Sequence, residues 1–281
     1  MPESTLPAPP GCNEALAEKV LTAFLREETS KVGFSRAVLG LSGGVDSALV
    51  AELAAQAFGP ENVLGLALPD RNSAPESLEL GKEAAEHAGI QFEVVDVSAI
   101  ADAHASAGNL DDQDRLRFGN ILARIRMVAL YDRSAKDGSL VLGTSNKSEL
   151  LLGYGTIHGD MASALNPIGD LYKTQVWALS RHLGVPRGIL DRPPTADLWE
   201  GQTDEEELGF TYQEVDALLH RMVDQRFSRK ALLDAGFARD FIEKVEGIVR
   251  RNQYKRRPPL VAKLANRTIN LDYRYARDWG N

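Results

Sequence analysis

The sequence predicts an α/β protein: a doubly wound parallel sheet with strand order 3-2-1-4, room for a fifth strand, and helices on both faces. Three observations predict it. Short apolar runs alternate with longer helix-forming runs through the first half of the chain. The first apolar run, Val38 to Leu41, breaks at Ser42-Gly43-Gly44 and passes straight into a helix-forming stretch. Strand signals stop after Gly159, so the chain from about residue 160 is expected to be a helical C-terminal part.

Residues 1–12 are Pro-rich and are expected to form a disordered tail, with a single domain over 13–281. Asn13 is suited to cap a helix reaching about Ser30, with Leu16, Val20 and Phe24 on one face. After the first strand and its glycine turn, a helix runs to Gly59-Pro60. Asn62 to Leu68 is the second strand, stopped by Pro69. A helix follows to Ala88 and closes at Gly89. Gln91 to Val97 is the third strand, and 98–112 reads as a polar connection. Gln113 to Asp137 is one long helix stopped by Gly138, and Ser139 to Leu142 is the fourth strand. Beyond it, helices are expected over 173–183, 212–223, 229–235 and 238–251. Right-handed crossovers then bring the turns after strands one and four together at the carboxyl edge of the sheet, where such sheets bind ligands.

Composition narrows the function classes. The chain has 281 residues, enough for a full core, with 43% hydrophobic and 26% charged residues. A net charge of −8 disfavours nucleic acid or an anionic membrane as a general partner. A single cysteine, Cys12, excludes an internal disulfide or a cysteine zinc cluster and fits a cytoplasmic location. No apolar run approaches the roughly 18 residues of a membrane span. The N-terminus lacks the basic start and apolar core of a signal peptide.

The chemistry starts at Gly40-Leu41-Ser42-Gly43-Gly44-Val45-Asp46-Ser47. A strand, a tight glycine turn and a helix N-terminus make a phosphate cradle from backbone N–H groups and the helix dipole. Ser42 and Ser47 add hydroxyls. Asp46 suits phosphate only through a cation, which suggests Mg²⁺. No lysine follows the glycines, so this is not the common P-loop. An ordinary βα turn would use the glycines but gain nothing from the serines and the aspartate.

SGGVDS resembles the PP-loop of the ATP pyrophosphatases. Further motifs follow in order: LARIRM, GTSNKSE, GDLYKTQ, PTADLW and QTDEEELG. Together they resemble the ammonia-dependent NAD⁺ synthetases from about residue 13 to 259. The resemblance implies a Rossmann-like sheet and ATP-dependent amidation of deamido-NAD⁺ (nicotinic acid adenine dinucleotide) through an adenylated intermediate. AMP and pyrophosphate are released, in the last step of NAD⁺ biosynthesis. No glutamine amidohydrolase segment is expected.

Residue by residue, the resemblance implies that Gly40 to Ser47, Thr144, Lys173 and Thr195 bind ATP. Asp46 and Glu149 would hold Mg²⁺, and Arg124, Tyr254 and Lys255 would bind the dinucleotide. Simpler readings stay open. Arg124 could be a helix-surface charge beside Arg126. Glu149 could be a helix N-terminal carboxylate, and Lys255 sits in a basic cluster with Arg250, Arg251, Arg256 and Arg257. The chain departs from the family pattern at Ile157-His158, where Lys-Tyr is common, and at Ala164, where an acid is common. Asp160 is therefore the candidate to take the ammonium proton, with Glu207 and His158 as alternatives, and joins Asp46 and Lys173 as a catalytic candidate.

Surplus apolar residues on helix 113–137, such as Leu116, Val128 and Leu130, suit a homodimer seam, which the family also implies. The polar loops 70–77 and 200–207 are expected to be mobile without ligand and to close over it. Rival readings are a tRNA thiolase, a GMP synthetase core and a non-catalytic ATP sensor. The negative charge and the lack of cysteine pairs disfavour the first, the C-terminal segment the second, and the combination of Glu149, Lys173 and QTDEE the third.

Overall fold

The structure is a computed structural model that describes residues 7–111, 114–195 and 203–268. Trp199 and residues 200–202 of the expected closing loop lie outside the described residues. The elements in order are α1 (Glu14–Lys31), β1 (Ala37–Gly40), α2 (Val45–Phe58), β2 (Val63–Ala67), α3 (Pro75–Ala88), β3 (Gln91–Val94), α4 (Ser98–Ala107), α5 (Arg115–Asp137), β4 (Leu140–Val141), α6 (Lys147–Leu152), α7 (Lys173–His182), α8 (Arg187–Leu190), α9 (Asp204–Leu208), α10 (Tyr212–Leu219), α11 (Arg229–Asp234) and α12 (Arg239–Arg251).

The described strands form one parallel sheet, β3-β2-β1-β4, in the expected order. The fifth strand is reduced to one parallel bridge, Leu142 to Leu165. The segment after it carries Pro167 and Gly169, which cannot extend a ladder. Residues 98–107 are helical rather than a polar connection. Five of the ten are alanine, the strongest helix former, and Val97 and Ala101 are buried against the sheet, which anchors the short helix although Ile100 stays exposed.

Alternation along the strands sorts side chains between two cores. Ala37, Leu39 and Leu41 join α1, α2, α3 and α7 on one face. Val38, Leu64 and Leu66 join Val97, Leu122 and Val141 under α4 and α5 on the other. A third core, around Tyr172, Tyr212, Val215, Leu218 and Ile242, knits the C-terminal helices to α6. The expected tail is tied down in its described part: Gln175 donates to the Gly11 carbonyl at 2.9 Å and Arg221 to the Ala8 carbonyl at 3.2 Å. No described helix is long and apolar enough to cross a membrane.

The glycine turn is sterically committed. Gly43 has φ +74°, and a Cβ there would meet the Ser77 carbonyl oxygen at 2.4 Å and Leu80 Cβ at 3.1 Å. Gly43→Ala therefore combines left-handed strain of about 1–2 kcal/mol with overlap against the first turns of α3. It should lower the urea midpoint and abolish the rise in Tm on adding ATP with Mg²⁺. An unaltered ATP response would count against this account of the turn.

Candidate active site

A cleft of about 1090 Å³ opens at the carboxyl ends of β1 and β4. Small-molecule sites usually span about 300–1,000 Å³, so this one has room for more than one nucleotide-sized substrate. Gly40, Leu41, Ser42, Gly44, Val45, Asp46 and Ser47 line it, with Arg124, Thr144, Glu149, Asp160, Lys173, Thr195, Tyr254 and Lys255. Of the expected residues, Gly43 is turned away against α3, and neither His158 nor Ala164 reaches the cleft wall, whereas Ile157 and Glu207 do.

The two turn serines are engaged within the turn. Ser47 Oγ donates to the Gly44 carbonyl at 2.9 Å and accepts from Ser42 N–H at 3.3 Å, and Ser42 Oγ accepts from Gly44 N–H at 3.3 Å. They fix the shape of the cradle from within. Val45 and Asp46 then open α2 at the cleft wall.

Asp46, Glu149 and Lys173 arrive from α2, α6 and α7 and meet. Lys173 Nζ donates to Asp46 Oδ2 and lies 3.5 Å from Glu149 Oε1. Asn146 links the two carboxylates. Its Nδ2 donates to Asp46 Oδ1 at 2.8 Å, its side-chain oxygen caps Glu149 N–H at 3.0 Å, and its backbone N–H donates to Glu149 Oε2 at 3.2 Å. This capping box places Glu149 at the start of α6, facing the cleft. Lys173 is only 3% exposed. Burial works against its ammonium, but Asp46 and Glu149 hold it well above the ordinary lysine value. Burial, and then the charge of Asp46, push the Glu149 carboxyl up to about 8 against the pull of Lys173.

Further acids surround the group. Asp204, at the start of α9, is buried in the cleft wall and accepts from Tyr212 Oη at 3.1 Å; burial pushes its carboxyl up. Glu207 accepts from Tyr154 Oη at 2.8 Å. Asp160 faces the cleft with Oδ1 accepting from Thr156 N–H at 2.8 Å, and the protein around it raises its carboxyl.

The proton balance has a measurable sign. Glu149, Asp160, Asp204 and Asp216 all have raised carboxyls in the fold. Between the ordinary carboxyl range and about 8, the folded chain keeps protons that the unfolded chain has released. Ligand-free stability must therefore fall as pH rises through that window. The Tm of the ligand-free protein should be higher at about pH 6 than at about pH 8.5. A flat or rising Tm across that range would contradict the geometry.

The NAD synthase family profile matches residues 17–259. The chain belongs to the NAD synthase family. It is 56% identical over 268 residues to the NH(3)-dependent NAD(+) synthetase of Trichlorobacter lovleyi, covering 95% of this chain and 97% of the relative. Among solved structures, the NH3-dependent NAD synthetase of Campylobacter jejuni is 33% identical with a TM-score of 0.76, covering 90% of this chain and 100% of that one. The NMN synthetase of Francisella tularensis is 32% identical with a TM-score of 0.78, covering 90% and 99%.

Arg124, Tyr254 and Lys255, expected to bind the dinucleotide, all line the cleft but are held in different ways. Arg124 is an exposed guanidinium on α5 at the cleft and donates to Asn120 O at 3.4 Å. Arg126, its neighbour, instead anchors loop 68–73, donating to the Leu68 carbonyl at 2.9 Å and Ser73 Oγ at 3.2 Å. With the Asp70–Ser73 hydrogen bonds, this pins the expected closing loop 70–77. Tyr254 is 61% exposed. Lys255 Nζ donates to the Gly153 and Gly155 carbonyls, both at 2.8 Å, and burial pulls its ammonium below the ordinary value. The sequence reading missed Asn146 and Arg192. The Asn-x-x-Glu spacing of a capping box signals Asn146. Arg192, which donates to Ser77 Oγ at 2.7 Å beside the glycine turn, has no local signature.

Proposed function

We infer that the protein is an ammonia-dependent NAD⁺ synthetase, a carbon–nitrogen ligase that converts deamido-NAD⁺, ATP and ammonia to NAD⁺, AMP and pyrophosphate. One observation carries the reading. Asp46, Glu149 and Lys173, far apart in the chain, converge at the mouth of the glycine turn in a fold shared with the NAD synthetases.

The substrate carboxylate is a poor electrophile. Its oxygen attacks the α-phosphorus of ATP, pyrophosphate leaves, and an acyl-adenylate forms. The nitrogen of ammonia then attacks the acyl carbon, and AMP leaves. In this reading the turn Gly40–Ser47 seats the phosphates, with Thr144 and Thr195 on the cleft walls around the nucleotide. The Lys173 ammonium faces charge developing on the leaving pyrophosphate. Arg124, Tyr254 and Lys255 lie on the dinucleotide side, where Lys255 acts through the turn it clamps.

The charges fit Mg²⁺ held by Asp46 and Glu149. With Asp204, three acidic groups share the single Lys173 ammonium, and their mutual repulsion is part of what raises Glu149. No cluster of three or more metal-binding side chains occurs among the described residues. Mg²⁺ is usually held by one or two carboxylates together with substrate phosphates, so Asp46 and Glu149 would be its protein ligands. The bound ion would neutralise phosphate charge.

Asp160 is the proton acceptor for the amidation step in this reading. Desolvation at the cleft raises its carboxyl, which makes it a stronger base than an ordinary aspartate. Asp160→Asn should slow NAD⁺ formation far more than pyrophosphate release in a single turnover without ammonia. Equal slowing of both steps would make Asp160 structural.

A homodimer completes the reading. Helix α5 leaves Leu116 69%, Val128 60% and Tyr131 39% exposed, a face a second copy would cover. The deciding assay supplies ATP, Mg²⁺, ammonium and deamido-NAD⁺ and detects NAD⁺ by mass. Parallel runs replace ammonium by glutamine and the dinucleotide by its mononucleotide counterpart. Absence of NAD⁺ in the first run would sink the proposal, and preference for the mononucleotide would move the chain toward the NMN synthetases.

A further inference from the structure

We propose that Asp216, a carboxylate buried in the helical half, is a positioning residue that clamps the two segments carrying Glu149 and Lys173. The inference rests on the site reading above and extends it to a residue outside the cleft.

Asp216 lies on α10 with no exposed surface. Its Oδ1 accepts from Ser148 Oγ, and its Oδ2 accepts from Thr174 N–H at 2.8 Å. Ser148 Oγ in turn accepts from Lys173 N–H at 3.0 Å. Ser148 immediately precedes Glu149, and Thr174 immediately follows Lys173. One side chain from a third helix thus grips both site residues through their neighbours. The N–H groups of Lys173 and Thr174 belong to the first turn of α7, where a helix has no internal acceptors. Asp216 and Ser148 supply them, with the negative charge at the favourable helix end.

The surrounding core does not account for the acid. Val215, Ala217, Leu218 and Leu219 beside it are all buried apolar residues. An aliphatic side chain at 216 would pack there, but would leave the Thr174 N–H and the Ser148 hydroxyl without acceptors. What the acid adds is a fixed angle between the start of α6 and the start of α7. That angle sets how Glu149 and Lys173 face Asp46. Displacement of reacting groups by about 1 Å can cost about a hundredfold in rate.

The test compares Asp216→Ala, Asp216→Asn and Ser148→Ala in the full chain, with Leu232→Ala as a control that opens the same helical core away from the clamp. Asparagine can accept from Thr174 with its oxygen and donate to Ser148 Oγ with its amide, so it still holds both segments without the charge, although the Ser148 hydroxyl proton loses its acceptor. Two readouts are used: kcat for NAD⁺ formation, and calorimetric affinity for ATP with Mg²⁺. The second reports on the clamp even if deamido-NAD⁺ proves not to be the substrate. Asp216→Ala is expected to lower kcat about thirtyfold and weaken ATP binding about tenfold. Asp216→Asn should recover both to within about threefold, and Leu232→Ala should alter neither at a comparable loss of Tm. A lower Tm in Asp216→Ala with both readouts intact would overturn the proposal, as would Asp216→Asn failing as badly as Asp216→Ala. If Asp216→Ala does not fold, Ser148→Ala decides: loss in both readouts supports the clamp, and unchanged values overturn it.

Discussion

Asp46→Asn is expected to lower turnover at least about a thousandfold, roughly 4 kcal/mol of transition-state stabilisation, while the protein stays folded. The asparagine oxygen can still accept from Asn146, so the link between α2 and α6 survives. Its amide, however, meets the Lys173 ammonium, a donor facing a donor. Lys173 then keeps Glu149 as its partner, and Glu149, freed from the repulsion of Asp46, ionises more readily. The ammonium is never stranded, which is why the fold tolerates the change. Activity near wild type would remove Asp46 from the metal and phosphate chemistry. A collapse of Tm would mean that its main part is structural.

Lys173→Met should be costly to the fold as well as to the reaction. Methionine matches the stem of the buried lysine but leaves Asp46, Glu149 and Asp204 with no cation among them. Breaking a buried ion pair from one side costs about 3–5 kcal/mol, or about 6–20 °C in Tm for a chain of this size. The carboxyls can take up protons in response, so the loss should be greatest at alkaline pH. Added Mg²⁺ should then raise the Tm of the variant more than that of the wild type, because it restores the missing positive charge. An unchanged Tm and an unchanged Mg²⁺ response would show that the three acids do not share the lysine. kcat should fall at least about a thousandfold, since the pyrophosphate loses its cationic neighbour.

The sheet order and the cleft position were legible because they follow from local signals: short apolar runs, glycine stops and the crossover rule. Helix α4 was not, since its five alanines and Ile100 favour a helix but mark no clear apolar face, and only Ala101 of the ten is buried against the sheet. The fifth strand was overread for a related reason: a single apolar residue, Leu165, bridges Leu142 before Pro167 ends the pairing. In the site, Asp46, Glu149 and Lys173 could be named from motifs, but their convergence on one ammonium belongs to tertiary structure. Lys255 shows the limit most clearly. Its motif marks it as a ligand contact, but no motif shows that two of its three N–H donors go to backbone carbonyls at the cleft wall. Asp216 carried no signal at all, because an aspartate inside an apolar helix face reads only as a break in the pattern.

The carboxyl end of α6 has a consequence for the order in which the enzyme can be made. Arg256 donates to the carbonyls of Leu150 and Leu151, Asn252 to that of Leu152, and Lys255 to those of Gly153 and Gly155. The helix that presents Glu149 is thus closed off by residues about a hundred positions downstream. A ribosome releases the chain from the other end, so the sheet and the glycine turn emerge long before the lock that seats Glu149. During synthesis the segment that presents Glu149 therefore gains these hydrogen bonds only after residues 252–256 have emerged.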